Sequence, residues 1–303
     1  MVTVAICTYN RAGTLRQTLE GVAQQTYPAG RREVMVIDNN STDDTASVVI
    51  AFAGKIPGLR RVLETRQGLD HARNRAIEEA RGEIVLFADD DILVESDWIA
   101  RMTEPFGTTQ GGRVGAVGGE VIPVFPDGLP AWIAEWHSPL AFRTDAGPIS
   151  RNQCPMGANL AIPRAIFATI GMFHTGLDRT AGSYFSGGDS EMVGRIRAAG
   201  LEVWFSPQGA VRHQMPAERT TFRYAVRHAF DSARSRVLDR AGGPGALGYL
   251  LTRLPANAFK AAALAFLALI FALVGLRGRA KQALVRAWRC CGYLYQIVRC
   301  LVR

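Results

Sequence analysis

Three consecutive carboxylates, Asp89, Asp90 and Asp91, close the stretch EIVLFADDD that begins at Glu83. Like charges side by side repel, so what offsets them decides what they can do. As a solvated turn they would cap the next helix, a common role for Asp. As a cluster around a cation they would be hard oxygen ligands suited to Mg²⁺ or Mn²⁺, ions that bridge one or two carboxylates to substrate phosphates. Asp38 ends another apolar run, VMVID. It could cap the helix that follows, although Ser41 and Asp43 are better placed for that. Otherwise its carboxylate could accept hydrogen bonds from a base N–H. Asp189 and Glu191 open a helical pattern. They suit capping or the favourable first turn of a helix dipole. His213 ends VRH after strand-like Ala210–Val211, where a lone histidine is commonly structural.

These groups need elements that bring them together. Up to about residue 120 strand and helix patterns alternate. Strands are expected at Val2–Cys7, Val34–Ile37, Arg61–Leu63, from Ile84 to the acids, and at Val114–Val117. Helices are expected at Thr14–Gln24, Asp43–Phe52, His71–Ala80 and from about Asp97. This rhythm predicts an α/β fold with a mainly parallel sheet flanked by helices. In such sheets ligands bind outside the carboxyl ends of the strands, where TYNR, IDNNSTD and the aspartates would converge. No GxGxxG follows any strand, so dinucleotide binding is unsupported. Residues 123–152, with Pro123, Pro126, Pro130, Pro139, Pro148, Trp132 and Trp136, break the rhythm. They read as an acceptor wall or lid, or as a plain surface insertion, carrying a short helix. A helix after Pro163, a second at Asp189–Ala199 and a strand at Glu202–Ser206 follow.

The chain has 303 residues, 48% hydrophobic, with a net charge of +8. Seven Lys/Arg and no acid lie from Arg277 onward, so the rest holds 35 − 7 = 28 basic against 27 acidic residues. The basic character belongs to the tail, which argues against a nucleic-acid-binding core and for an anionic surface. Cys7, Cys154, Cys290, Cys291 and Cys300 show no metal or disulfide spacing and fit a reducing compartment. Cys7 reads as buried filler. Met1 leads directly into the strand-like VTVAIC, so no signal peptide is expected.

Two domains are expected: a catalytic domain over 1–225 and a helical membrane-association region over 226–303. In the latter, 254–276 is apolar with Lys260 its one charge, followed by Arg277, Arg279 and Lys281. A spanning helix needs about 20 apolar residues. A buried core helix or a re-entrant hairpin would read the same way. Over 282–302, Leu284, Trp288, Cys291, Tyr295, Val298 and Val302 recur at steps of four and three between arginines, a basic amphipathic helix for a membrane surface. A single span would put the main domain and the basic tail on opposite sides, so burial in the plane is preferred.

The ordered set TYNR, VIDNNSTDDT, GLDHARN, LFADDD, GANLAI, GGDSEM and VRH, over about residues 2–215, resembles the family 2 glycosyltransferases with the GT-A (Rossmann-like) fold. The resemblance implies inverting sugar transfer from a UDP-, GDP- or dTDP-sugar with Mg²⁺ or Mn²⁺. It assigns Thr8, Tyr9, Asn10, Asp38 and Asn40 to the nucleoside, Asp89 and Asp90 to ribose and metal-bound water, and Asp91 to the metal, with His213 completing that site. Arg73 matches a basic residue near the phosphates, or it pairs on the helix surface with Glu78 or Glu79. Asp189 matches the second acid of a base-bearing pair whose first place holds Gly188, a departure, with Glu191 as a substitute base. Gly157, in a tight turn, and Asn159 match the acceptor-side loop. Trp204 reads as core rather than acceptor stacking.

The leading expectation is a transferase on the cytosolic face of the cytoplasmic membrane, acting on a lipid-linked or surface-polysaccharide acceptor in cell-envelope glycan synthesis. The competing readings are a non-catalytic nucleotide-sugar-binding scaffold and a metal-dependent nucleotide diphosphate hydrolase.

Overall fold

The computed structural model describes residues 1–108, 113–125, 128–134, 145–177, 187–241 and 245–302. Pro126, Trp136, Pro139 and Ser186 therefore lie outside the described residues. The chain divides into two compact units. The first comprises the described parts of 1–124, 139–175 and 188–214, and the second those of 125–138, 176–187 and 215–303. The chain passes from one unit to the other after Gln214, and two inner stretches join the second.

The first unit is built on β1 (Val2–Thr8), α1 (Ala12–Ala23), β2 (Arg32–Asp38), α2 (Thr45–Phe52), β3 (Leu59–Leu63), α3 (Leu69–Glu79), β4 (Ile84–Asp89), β5 (Ile92–Val94), α4 (Trp98–Thr108), β6 (Val114–Val124), β7 (Gly147–Pro148), β8 (Asn159–Pro163), α6 (Ile166–Ile170), α7 (Gly188–Ala198) and β9 (Glu202–Gln214). The short α5 (Ala131–Ala134), within the 123–152 stretch, belongs to the second unit.

The strands run in the order β3-β2-β1-β4-β8-β6-β9-β5, with β7 on β9. The half from β3 to β4 is wholly parallel, as the buried β-branched runs require. The other half is mixed. β8 is antiparallel to both β4 and β6, and β5 is antiparallel to β9, while β6 and β9 are parallel. The α/β sheet is as expected, its longest ladders parallel, with short antiparallel pairings added in the second half.

Successive residues of a strand face opposite sides. Val2, Val4 and Ile6 pack with Leu15, Leu19, Val22, Phe52 and Trp98, while Ala5 and Cys7 pack on the other face with Ala72, Ala76, Phe167 and Met192. Both faces of the sheet are therefore covered by helices, which is why Cys7 and its neighbours are apolar without alternation. Burial drives the Cys7 thiol up to about 12, as expected of filler. Trp204 packs partly buried at the edge of the first core cluster, as core rather than as stacking surface.

The second unit holds α8 (Phe222–Ala241), α9 (Ala246–Leu273) and α10 (Arg277–Leu301). α9 begins earlier than the apolar stretch and carries Pro255 inside it. It is long and apolar enough to cross a membrane by length and composition.

Candidate active site

The parallel register fixes where the acids fall. Cys7 of β1 pairs with Asp89 of β4, and Thr8 pairs with Asp38 of β2, so three strand ends form one edge. Asp90 and Asp91 make a two-residue turn into β5. β5 then pairs antiparallel with β9, Ile92 opposite His213, and the Gln214 N–H donates to the Asp91 carbonyl at 2.8 Å. That pairing carries His213 from more than a hundred residues away onto the aspartate turn.

Its Nε2 lies 3.2 Å from Asp91 Oδ1 and 3.7 Å from Asp89 Oδ2. Ligand atoms of Asp89, Asp91 and His213 all lie within 4.8 Å of one another. Two carboxylate oxygens and an imidazole nitrogen form a donor set that could hold a divalent cation, the oxygens being the hard ligands among them. Asp91 and His213 are buried and Asp89 half-buried, so these ligand atoms are largely removed from water. A cation fits this donor set.

A residue without an assigned role also enters the cluster. Arg11 Nη1 donates to Asp90 Oδ1 at 3.1 Å and to Asp91 Oδ2 at 2.5 Å. Asp90 also accepts from the Thr8 hydroxyl at 2.7 Å. Burial drives the Asp90 carboxyl up to about 6, against the pull of Arg11 and with the push of Asp91. Arg11 is the last letter of TYNR, so its presence was legible but its partners, 79 and 80 residues away, were not.

Asp38 is fully buried, and its carboxylate is engaged on both oxygens. Oδ1 accepts from the Ser41 N–H at 2.8 Å, and Oδ2 accepts from Arg61 Nε and Nη2 at 2.8 and 2.5 Å. Asp43, not Asp38, serves the helix start, accepting from the Thr45 N–H at 3.1 Å. Asn10 and Asn40 have φ of 52° and 64°. Asn tolerates this left-handed region, so both positions have a backbone reason for their residue type. Tyr9 is exposed at the same edge.

Around Asp189 a second constellation forms. Asp189 Oδ1 accepts from Arg73 Nη1 at 2.7 Å, and Oδ2 accepts from the Gly157 N–H at 2.9 Å. Arg73 also donates to Asp70 Oδ1 at 3.1 Å. Both Arg73 and Asp70 are buried, whereas the Asp189 side chain is 30% exposed. Burial works against the Arg73 charge, but Asp189 and Asp70 outweigh it and hold the guanidinium protonated. Arg73 therefore does not pair on the helix surface; Arg75 makes the bridges to Glu78 and Glu79. Glycine is required twice here. A Cβ on Gly157 would strike Arg73 and Asp189, and one on Gly188 would strike the Asp70 carboxylate. The place that lacks an acid in α7 is thus filled in space by Asp70 from α3.

The structure also gives Asn159 and Glu191 partners of their own. Asn159 is fully buried, its amide donating to the Gly209 and Glu120 carbonyls and its oxygen accepting from Trp98 Nε1. Gly119 leaves the room for it, since a Cβ there would meet its amide. Asn159 is a core clamp between β8, β6, β9 and α4. Glu191 is paired within its own helix. Both its oxygens face Arg195 one helical turn on, at 2.6 and 2.7 Å, beside a surface hollow lined by Met172, Phe173 and His174.

The profile of Glycosyl transferase family 2 matches residues 3–171, more than half of the chain. The chain belongs to this family. Glycosyltransferase AglE of Haloferax volcanii is 31% identical over 206 residues, which span 68% of this chain and 64% of AglE. Succinoglycan biosynthesis protein ExoM of Rhizobium meliloti is 25% identical over 77% of this chain and 73% of ExoM. Among solved structures, the mannosyltransferase PcManGT of Pyrobaculum calidifontis, solved with GDP-Man and Mn²⁺, superposes with a TM-score of 0.64 at 22% identity. It covers 97% of this chain and 86% of that one. At that identity the likeness establishes the fold, the GT-A arrangement.

Proposed function

We propose that this family 2 chain is an inverting transferase that moves a sugar from a UDP-, GDP- or dTDP-sugar to a hydroxyl of a lipid-linked or polysaccharide acceptor. The observation that carries the reading is the convergence of Asp89, Asp91 and His213 at the strand ends, with Asp189 held on the same unit by Arg73 and Gly157. Asp89, Asp91 and His213 would hold Mg²⁺ or Mn²⁺, and such an ion, when bound, offsets the charge of the departing nucleoside diphosphate.

Thr8, Tyr9, Asn10, Asp38 and Asn40 line the ends of β1 and β2 and are assigned to the nucleoside. Asp90 and Arg73 are assigned to the ribose and phosphate side, since Arg73 feels the Asp89 charge. Asp189 takes the proton of the acceptor hydroxyl as that oxygen attacks the anomeric carbon from the face opposite the leaving group. A carboxylate has about four lone-pair sites, so its two present hydrogen bonds leave room for the incoming hydroxyl. The Gly157 N–H and Arg73 fix its orientation.

The acceptor class is supported by the name of ExoM, which concerns succinoglycan, and by the apolar α9. Both fit work at the cytosolic face of a membrane in envelope glycan synthesis. The test is release of nucleoside diphosphate with and without such acceptors. Acceptor-dependent release is expected, and Asp189→Asn lowers its kcat by about 10²–10⁴ with nucleotide affinity unchanged. Acceptor-independent release would indicate a hydrolase, and none at all a binding scaffold.

A further inference from the structure

α9 and α10 form an antiparallel hairpin closed by residues 274–276. Leu250 near the start of α9 packs with Ile297 near the end of α10. Midway, Lys260 lies near enough to act on the Cys290 thiol. The other side of α10 lies on α8: Phe230 meets the rings of Trp288 and Tyr295, and Gly292 lies so close to the Phe230 backbone that a Cβ would strike it. α10 is thus held between two helices.

Much apolar surface stays outside this packing. On α9, Phe259, Phe266, Leu269 and Leu273 are exposed. On α10, Leu284 and Val298 are exposed, and Trp288 and Tyr295 keep an exposed side beyond their contact with Phe230, with exposed Arg277, Lys281 and Arg299 on the same helix. Aromatic and aliphatic residues flanked by long basic side chains suit the boundary between headgroups and hydrocarbon.

The packing also limits how a bilayer can receive this surface. If α9 crossed alone, it would leave α10. If α10 followed it, Arg286 and Arg289 near the middle of α10 would enter the hydrocarbon, where charges are rare and costly. At 28 residues α9 is about 42 Å long, well beyond the roughly 30 Å hydrocarbon thickness. A second copy of the chain fits the surface poorly, because it would set the same acid-free basic helix against itself.

We infer that α9 and α10 lie together in the plane of an anionic phospholipid leaflet, with the 274–276 turn on the same side as the open end of the hairpin. This deepens the membrane placement proposed above and leaves its chemistry untouched. α9 enters deepest, and the basic residues of α10 stay at the phosphates.

The test uses the full chain with phosphatidylcholine vesicles, with or without phosphatidylglycerol. Flotation with the phosphatidylglycerol vesicles alone is expected, and Leu284→Ser/Trp288→Ser together weaken it about tenfold or more. Equal flotation with both vesicle types overturns the anionic assignment. No flotation, with or without self-association, overturns the lipid as occupant. For topology, Leu276→Cys is treated with a membrane-impermeant maleimide, and the peptide bearing residue 276 is read by mass spectrometry. Equal labelling before and after detergent is expected; labelling only after detergent means that the turn has crossed, which contradicts an in-plane hairpin. Nucleotide binding on the same samples separates failure here from failure of the transferase reading, and shows that the variants are folded.

Discussion

At the scale of residues, the site is two linked charge problems. Asp90 and Asp91 share Arg11, and Asp70 and Asp189 share Arg73. In each, a buried or half-buried cation sits between two carboxylates, so removing one member leaves an uncompensated charge. Gly188 belongs to the second problem. Gly188→Ala pushes a methyl group into the Asp70 carboxylate and should cost about 1–3 kcal/mol of stability, as overpacking does. Combining it with Asp70→Ala should cost less than the sum of the two single changes, because both act on the same space. Thermal unfolding of the four proteins measures this; strict additivity would mean that the two positions do not meet. Sequence alone reveals that Gly188 departs from the family's acidic pair, but not why. Asp70 lies in another helix, and nothing local in either segment announces the encounter.

At the scale of elements, the parallel half of the sheet was legible because both its faces are buried and its strands read as continuous apolar runs. The rest was less so. β9 appears in sequence as Glu202–Ser206 and a separate Ala210–Val211, since Pro207 and Gly209 interrupt the pattern. In the fold it is one strand, kept whole by pairing on β6 with register shifts at Ala116 and Val121. Its far end delivers His213, so the geometry of the Asp89, Asp91 and His213 cluster depends on a strand whose continuity is tertiary. The loop between β3 and α3 shows a different control. Glu64 is buried and accepts from Arg66 Nε and Nη2, while Asn39 donates to the Glu64 and Arg66 carbonyls. The Arg66 bond holds the Glu64 carboxyl down at about 2 from its ordinary 4.5. A depressed acid stabilises the fold above its unfolded value and loses that contribution as pH falls. Wild type should therefore exceed Glu64→Gln in Tm near neutrality, with the gap shrinking from about pH 4.5 toward pH 2. A gap independent of pH would place the stabilisation elsewhere.

At the scale of the whole molecule, composition already separated a nearly neutral body from a basic tail, and the two compact units carry that separation into the fold. What composition could not supply was the pairing of α9 with α10, which turns an apparent span into half of a hairpin. The central claim concerns the first unit: the aspartate turn binds a nucleoside diphosphate through a divalent cation. Calorimetry of the intact chain with UDP, GDP and dTDP, each with Mn²⁺ and with chelator, tests it most directly. One nucleotide should bind tightly with Mn²⁺, weakly with chelator, and at least about 100-fold more weakly to Asp91→Ala. Binding that ignores both Mn²⁺ and the loss of Asp91 would contradict the account and leave Asp90 and Asp91 as a buried turn held by Arg11.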